Sequence, residues 1–413
     1  MAKLRVRAEM STQLPVPAVA YEDHTWTAEP DGTTGRARVA AASGPYRSAI
    51  PARIADYTPS LSSAVAADLE EAAAAVAGFD AHAAAALGAE GVIAAPMSAV
   101  LLRTESASSS QIEQLTVGAR QLALAEIDQA TSPNAATVVG NVKAMEAALA
   151  WTGPVDQAAI LAIHAELLAH QRGWESHAGR YRDRLVWIGR SALGPRGASH
   201  VAPQPGLVPE AMADLTGFMT RLDLPILLRV AVAHAQFETI HPFSDGNGRT
   251  GRAIIQLMLK SSGLVTQTIA PISAGLLTDT ERYFAALTAY RQGDALPIVE
   301  RLTDATRFAA SSGKRLVEAL AQALDQDRRR LAGLRPQAVA WRVLPVLVSH
   351  PVVNARLLMR QTGLAEASAQ RALAQLANAG VVQERTGLRR NRVWQHHGIV
   401  RILDDYAAEL RRH

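Results

Sequence analysis

One window of the chain, residues 241–252, carries the residue types that phosphate chemistry requires. It reads His-Pro-Phe-Ser-Asp-Gly-Asn-Gly-Arg-Thr-Gly-Arg and follows an apolar stretch with helical periodicity. The imidazole of His241 titrates near neutral pH, so it can accept a proton from an attacking hydroxyl. Asp245 offers a hard oxygen ligand that suits Mg²⁺ beside phosphates. Phe243 is interpreted mainly as an anchor beneath the loop.

The glycines and arginines of this window form a candidate anion site. Gly246 and Gly248 carry no side chains, so backbone N–H groups can approach an anion closely. Asn247 between them tolerates left-handed geometry and adds an amide donor. The loop then enters a helix, whose N-terminus favours negative charge. Arg249 and Arg252 are three residues apart and fall on one helix face, where both can reach a polyphosphate.

This combination suits phosphoryl or nucleotidyl transfer, which depends mainly on positioning and charge stabilisation. The alternative is a helix–helix turn with two surface arginines, which a lone Gly-Asn-Gly would indicate. A metal-hydrolase site of His234, His241 and Asp245 is a weaker alternative, because only the last two lie beside the glycine turn.

The window resembles the signature of the Fic family, His-Pro-Phe-x-[Asp/Glu]-Gly-Asn-Gly-Arg-x-x-Arg, at every defined position. The resemblance implies a protein adenylyltransferase that transfers AMP from ATP to a hydroxyl of an unknown target protein. It makes His241 the general base and Asp245 the Mg²⁺ ligand. The candidate catalytic residues are therefore His241, Asn247, Arg249 and Arg252. The candidate ATP-binding residues are Phe243, Gly246, Asn247, Gly248, Arg249 and Arg252. The family's kinase-like Doc branch carries Lys where this chain has Gly248, which favours nucleotidyl transfer.

A second segment, Ser109-Ser-Gln-Ile-Glu-Gln114, resembles the inhibitory helix of many Fic proteins, with the pattern [Ser/Thr]-x-x-x-Glu-[Gly/Asn]. Ser109 and Glu113 match, whereas Gln114 stands where Gly or Asn is expected. A carboxylate that pairs with Arg252 would remove a γ-phosphate clamp. The resemblance therefore implies that Glu113 inhibits the enzyme. The alternative is a capped helix with a solvated glutamate.

Residues 179–182 and 186–189 resemble the strand-and-flap region that precedes the signature in Fic proteins. Such a flap is expected to hold an extended target segment by strand addition. The alternative is an ordinary surface hairpin.

The last part of the chain predicts a helix, a turn containing Gly363, a second helix and a basic hairpin, which resembles a winged helix-turn-helix. Such a domain implies binding of double-stranded DNA, with the alternative that it binds protein or dimerises. The candidate DNA contacts are Arg371, Arg389, Arg390 and Arg392.

The bulk composition limits the remaining classes. The chain has 413 residues, a formal net charge of +4 and no cysteine, which excludes disulfides and thiolate chemistry. The N-terminus lacks an apolar segment of signal-peptide length, and acidic residues interrupt the Ala-rich run at 62–100. We expect a cytoplasmic protein with no membrane partner. The sequence is compatible with a homodimer.

The predicted fold is mainly α: a Fic helical core with a small β-hairpin flap, plus a C-terminal winged helix-turn-helix domain. The expected division is an irregular N-terminal arm (1–60), a helical region with the inhibitory helix (61–135), the catalytic core (136–310), a helical linker (311–338) and the C-terminal domain (339–413). Two functions remain, a protein adenylyltransferase inhibited by Glu113 and a nucleotide-sensing, DNA-binding transcription regulator that uses a Fic body. The intact His241 favours the enzyme, because a sensor needs no base there.

Overall fold

The computed structural model describes residues 13–29, 34–86, 94–127, 129–130, 132, 134–169, 171, 173–189, 191–387 and 392–410. The helices are α1 (Arg36–Ala42), α2 (Ser63–Ala86), α3 (Ala94–Ile112), α4 (Ala119–Ala125), α5 (Ala135–Ala150), α6 (Gln157–Ala169), α7 (Val208–Met219), α8 (Ile226–Ile240), α9 (Asn247–Ser261), α10 (Ile272–Leu277), α11 (Thr280–Arg291), α12 (Leu296–Arg330), α13 (Val339–Ser349), α14 (Ala355–Thr362), α15 (Glu366–Asn378) and α16 (His397–Glu409). The strands are β1 (Ala20–Trp26), β2 (Gly44–Ile50), β3 (Trp187–Ile188), β4 (His200–Val201), β5 (Val352–Val353), β6 (Gln383–Glu384) and β7 (Trp394–Gln395).

Helices α8 and α9 form the centre of the protein and hold the loop between them. Every residue of α8 from Leu227 to Ile240 is buried, and α9 is buried from Arg249 to Leu259. Helices α3, α5, α6, α7, α11 and α12 pack around this pair. The loop at 241–246 is therefore fixed at both ends by elements that cannot shift without disturbing the core.

The N-terminal arm differs from the irregular segment that its Pro, Gly, Ser and Thr content predicts. Strands β1 and β2 pair antiparallel, with Ala20 opposite Ile50 and Trp26 opposite Gly44. The Trp26 ring packs edge-on against Trp187, and its indole N–H donates to the carbonyl of Leu193 at 2.8 Å. The arm is thus a hairpin that braces the flap region, because strand pairing and the contact of Trp26 with Trp187 outweigh the local turn signals.

Helix α3 runs unbroken to Ile112, although the serines at 106–110 predict an interruption. These serines are accommodated by local and cross-helix hydrogen bonds. The Ser110 hydroxyl donates to the Ser106 carbonyl at 2.9 Å, and the Asn141 amide on α5 donates to that same carbonyl at 2.8 Å. Tertiary partners therefore outweigh the preference of serine for caps and turns.

The C-terminal residues contain the expected helices α14 and α15 and strands β6 and β7. Asn354 caps α14 by accepting from the Leu357 N–H at 2.8 Å, and Gly363 ends it with a φ of 67°. Strand β5, which completes a sheet of order β5-β7-β6, and α16 were not predicted. Helix α12 passes through the expected boundary at 310/311 without a break. None of the described helices is long and apolar enough to cross a membrane.

Candidate active site

His241 ends helix α8 in a conformation that few side chains adopt. Its φ is 50° and its ψ is 60°, in the left-handed region, while its N–H donates to the Phe237 carbonyl at 2.8 Å. That conformation costs about 1 kcal/mol or more for a residue other than glycine. The surrounding contacts must therefore hold it in place.

Arg182 supplies much of that support, a role that the sequence does not predict. Its Nε donates to the His241 carbonyl at 2.8 Å, and its Nη2 donates to the Pro203 carbonyl at 2.7 Å. Its backbone N–H donates to the Pro242 carbonyl at 3.0 Å. Burial lowers the pKa of this guanidinium to about 10. One buried cation thus ties the flap region to the loop. Its only signal in the sequence is its place in the Gly-Arg-Tyr-Arg segment.

Phe243 and Asn247 hold the turn from within. The Asn247 side chain accepts from the Phe243 N–H and donates to the Phe243 carbonyl, both at 2.8 Å. The Phe243 ring is fully buried and stacks on His164, with ring centroids 3.6 Å apart. Both side chains were candidates for nucleotide contact. In this structure each side chain is committed to packing or to bonds within the loop, and their role in nucleotide binding stays a prediction.

The two glycines of the loop lie where a side chain would collide with a neighbouring residue. Gly246 has a φ of 77° at the start of α9, and a Cβ there would lie 2.6 Å from Leu167 Cδ2. A Cβ on Gly248 would lie 2.3 Å from Glu113 Oε1. Any side chain at Gly248 would thus collide with the Glu113 carboxylate. The predicted anion site and the predicted inhibitory residue meet at this point.

Glu113 bridges both predicted arginines. Its Oε1 accepts from Arg252 Nη2 at 2.7 Å and its Oε2 accepts from Arg249 Nε at 3.1 Å. Arg252 also donates from Nε to the Ser109 hydroxyl and from Nη2 to the Ser109 carbonyl, both at 2.8 Å. The guanidinium groups are almost completely buried, whereas Glu113 is partly exposed. The structure therefore brings Ser109, Glu113 and Arg252 together as the sequence predicts, and adds Arg249.

Asp245 lies on the open side of the loop. Its Oδ2 accepts from Gln171 Nε2 at 2.9 Å and from Arg249 Nη2 at 3.0 Å, and its side chain is 33% exposed. Within the described part of the chain, no group of three or more His, Cys, Asp or Glu residues could hold a metal ion. A single accessible carboxylate fits a Mg²⁺ ion that arrives with phosphate oxygens, and it does not fit an all-protein metal site.

His234, the third member of the hydrolase alternative, is a packed helix residue. Its Nε2 lies 2.7 Å from the Tyr283 hydroxyl, and the two rings stack at 5.9 Å. Burial lowers the pKa of His234 to about 3. Its role is to pack α8 against α11.

The electrostatic field at the loop is set by buried groups of both signs. Burial lowers the pKa of His241 to about 3, and the charges of Arg291 and Arg182 act in the same direction. Burial raises the pKa of Glu238 to about 7. Glu238 was missed in the sequence, although it lies three residues before His241 on the same helix.

The flap candidate is a short antiparallel pair. Trp187 lies opposite Val201, and Ile188 lies opposite His200. The Ile188 side chain is exposed, which is unusual for a large apolar residue. This pair lies beside the loop because Arg182 and His200 both bond to the end of α8.

The DNA-contact candidates differ in their surroundings. Arg371 is exposed on α15. Arg392 pairs with Glu384, and its guanidinium lies 4.9 Å from the centroid of Trp394. Arg389 and Arg390 fall outside the described residues.

Comparison with known proteins shows what the segment around the loop is similar to. Residues 154–259 match the family model described as the Fic/DOC family. A protein adenylyltransferase Fic of Nematostella vectensis is 29% identical over 163 residues, which cover 39% of this chain and 33% of that protein. Protein adenylyltransferase fic-1 of Caenorhabditis elegans is 32% identical over 143 residues, which cover 34% of this chain and 25% of that protein.

Solved structures give a weaker likeness. The crystal structure of a Fic family protein from Desulfovibrio desulfuricans G20 matches with a TM-score of 0.46 and 24% identity, covering 78% of this chain and 95% of that one. The chain spans about a third or less of the two curated relatives. The similarity to Fic proteins is concentrated on the segment that contains the loop.

Proposed function

We propose that this protein is a protein adenylyltransferase, which transfers AMP from ATP to a hydroxyl side chain of a target protein, and that Glu113 holds it in an inhibited state. The Fic/DOC match over 154–259 and relatives named protein adenylyltransferase support the activity. The proposal of inhibition rests on the position of the Glu113 carboxylate, which lies against Gly248 and pairs with Arg249 and Arg252.

The position of that carboxylate indicates what the site binds. A carboxylate and a phosphate carry the same sign of charge and accept the same donors, and bidentate arginine contacts recognise both. Glu113 therefore stands in for an anionic group of the nucleotide. ATP must displace it to place its triphosphate on the two arginines, which accounts for inhibition without a second conformation of the loop.

The catalytic step follows from the remaining geometry. The target hydroxyl transfers its proton to the His241 imidazole while its oxygen forms a bond to the α-phosphorus. The bond from that phosphorus to the bridging oxygen of the β-phosphate breaks, and pyrophosphate leaves. Arg249 and Arg252 stabilise the charge that develops on the leaving phosphates. The antiparallel pair of β3 and β4 is proposed to hold the target segment beside the loop.

Asp245 is the residue proposed to hold Mg²⁺. The ion, when bound with ATP, would neutralise charge on the phosphate oxygens. Because Asp245 now bonds to Arg249 and Gln171, these two side chains must share or release the carboxylate when nucleotide binds.

The test is transfer of label from α-³²P nucleotides in the presence of Mg²⁺. ATP, CTP, GTP and UTP are compared in the wild type, in Glu113→Gly and in Glu113→Gly with His241→Ala. We expect label from ATP, more in Glu113→Gly, and none when His241 is removed. Label that survives His241→Ala would overturn the base assignment, and absence of label in Glu113→Gly with every nucleotide would overturn the activity.

We also propose that residues 339–413 form a winged helix-turn-helix that binds double-stranded DNA. The order α14, turn, α15 and hairpin supports this, as does Arg371 exposed on α15. A polar cleft beside them is lined by Arg356, Arg360 and Arg392, of which sequence reasoning missed the first two. Duplex DNA should bind with a steep salt dependence, and Arg371→Ala with Arg360→Ala should flatten that slope. If the amount of DNA bound does not change with salt or with these substitutions, the proposal of DNA binding is wrong.

The same labelling experiment distinguishes the transcription regulator from the adenylyltransferase. A nucleotide-sensing DNA-binding protein would bind ATP and change its DNA affinity, but would transfer no label. A homodimer and a cytoplasmic location stay predictions from the sequence. Light scattering on the purified protein tests the former, and cell fractionation tests the latter.

A further inference from the structure

Several buried polar atoms of the described residues lack a hydrogen-bond partner, and two of them belong to neighbouring residues at the end of α8. They are Nδ1 of His241 and Oε1 of Glu238, and the second carboxylate oxygen, Oε2, lies 3.7 Å from that Nδ1. An unpaired buried polar group costs about 1–3 kcal/mol, so two neighbouring ones call for a functional explanation.

The protein makes room for the Glu238 carboxyl at this position. Glu238 lies on the last turn of α8, and its side chain is nearly completely buried. A Cβ on Gly251 would lie 3.0 Å from Glu238 Oε1, so glycine at that position of α9 leaves the space that the carboxyl occupies. The left-handed φ of His241 places the imidazole over the same turn of α8.

We propose that Glu238 is a positioning residue for His241: its carboxylate accepts the Nδ1–H of the imidazole and leaves Nε2 free as the base. This inference rests on the proposed function. A shift of less than 1 Å would turn the observed 3.7 Å separation into a hydrogen bond. Catalytic hydrogen bonds are often long before the substrate is bound and shorten in the reacting complex.

The proton balance of the step is complete with these two residues. The target hydroxyl gives its proton to Nε2, the Nδ1–H stays hydrogen-bonded to Glu238, and the imidazolium that results lies beside a negative charge. Without that charge the imidazole is a weak base, because burial lowers the pKa of His241 to about 3, with Arg291 and Arg182 adding to the effect. The carboxylate offsets those two cations.

The Glu238 carboxyl itself titrates close to neutral pH. Burial raises the pKa of Glu238 to about 7, Arg252 opposes the rise, and Glu113 adds to it. The charged and titratable groups that face the pair are Arg182, His200, Asp245, Arg252, Tyr283, Arg291 and Glu113. In a Glu113→Gly background the rate should therefore rise with pH toward the neutral range as Glu238 ionises, at a lower pH than in the wild type because Glu113 no longer adds to the rise of the Glu238 pKa.

The test compares Glu238→Gln with Glu238→Asp, both in the Glu113→Gly background. In Glu238→Gln we expect kcat to fall by about 10- to 100-fold, the KM for ATP to change by less than about two-fold and the neutral rise with pH to disappear. Glu238→Asp keeps the charge and should restore part of kcat and the pH dependence. Glu105→Gln is the matched control, because Glu105 is an equally buried carboxyl whose pKa is also raised to about 7 by burial.

A second readout does not depend on activity. Ring ¹⁵N shifts of histidine-labelled protein, with His241→Ala to assign the signal, report which nitrogen carries the proton. We expect Nδ1–H in the wild type and a shift toward Nε2–H in Glu238→Gln, with no change in Glu105→Gln. Unchanged tautomer, kcat and pH profile in Glu238→Gln would overturn the inference. Absence of label from Glu113→Gly in every arm would instead overturn the proposed function, and the ¹⁵N shifts would still decide the role of Glu238.

Discussion

Glu113 and Arg252 lie 139 residues apart in the chain, and Glu113 Oε1 lies 2.7 Å from Arg252 Nη2. The same carboxylate reaches Arg249, so one side chain at the end of α3 neutralises both arginines at the start of α9. A buried arginine that loses its partner is costly, which means that Glu113 leaves readily only when another anion replaces it. The pair therefore couples nucleotide binding to the position of α3.

The first prediction concerns this pair. Glu113→Gly should raise auto-modification by about 10-fold or more, because the coupling energies of such switches correspond to roughly 5- to 150-fold. Glu113→Gln keeps the size of the side chain and loses its charge, so its rate should fall between those of the wild type and the glycine variant. Initial rates with α-³²P ATP measure both.

Glu146→Gln provides the control, since Glu146 is an exposed carboxylate that pairs with Lys143 on α5. It should behave as the wild type. Equal rates in the wild type and Glu113→Gly would contradict the inhibitory role.

The sequence predicts where the loop lies because its residues are contiguous and each type has a local chemical meaning. Gly246 and Gly248 predict a close approach, whereas the roles of His241 as base and of Asp245 as Mg²⁺ ligand stay predictions. Even the distant pairing of Glu113 with Arg252 was predicted, since a resemblance connected two separate segments. A sequence predicts which residues come together where a motif is long or where two motifs are known to lie in contact.

The supporting residues were harder to predict because no motif marks them. Arg182 and Gln171 lie outside the loop and contact it only through the packing of the chain. Glu238 lies three residues before His241 on α8, but the sequence alone does not show that its side chain is buried beside the imidazole. The N-terminal hairpin was missed for a related reason. Its stability comes from cross-strand and aromatic contacts such as that of Trp26 with Trp187, and these override a composition typical of turns.

The second prediction concerns Gln114, which follows the inhibitory glutamate. Its φ is 63°, in the left-handed region, where glycine and asparagine are tolerated better than glutamine. Gln114→Asn should relieve about 1 kcal/mol of strain and favour the inhibited arrangement by about five-fold. Basal auto-modification should fall and the melting temperature should rise.

Gln114→Ala is the matched control, because alanine keeps a Cβ and lacks the local hydrogen bonding of asparagine. It should leave basal activity close to that of the wild type. A higher basal rate in Gln114→Asn would show that the strain does not oppose inhibition.

The third prediction concerns the other face of α3, which contacts the C-terminal helices. Arg103 on α3 pairs with Glu126, and His350 Nδ1 after α13 lies 2.9 Å from the second Glu126 oxygen. Burial raises the pKa of Glu126, but the hydrogen bond from His350 and the charge of Arg103 more than offset this, so the net shift is downward. Arg103→Ala should loosen α3 and raise basal auto-modification by about two- to five-fold, less than Glu113→Gly does.

The comparison for Arg103 is Arg328→Ala, which removes an arginine from an exposed pair with Asp325 on α12. Surface pairs of this kind contribute about 0–1 kcal/mol, so this variant should show the basal rate of the wild type. If the two variants have the same rate, the C-terminal contact does not bear on inhibition.

The last prediction is a pH dependence of stability that arises at Glu105 on α3. This carboxyl is buried and accepts from the Ser273 N–H and hydroxyl at 2.8 and 2.7 Å. Burial raises its pKa from 4.5 to about 7, so the folded protein binds this proton more tightly than the unfolded chain does. The stabilisation is complete below pH 4.5 and is lost as the pH rises through about 7, with a total on the order of 3 kcal/mol. Glu105→Gln cannot ionise, so its free energy of unfolding relative to the wild type should increase between pH 5 and pH 8. Urea unfolding of both proteins at the two pH values measures this difference, and a difference that does not change with pH would show that Glu105 is not the titrating group.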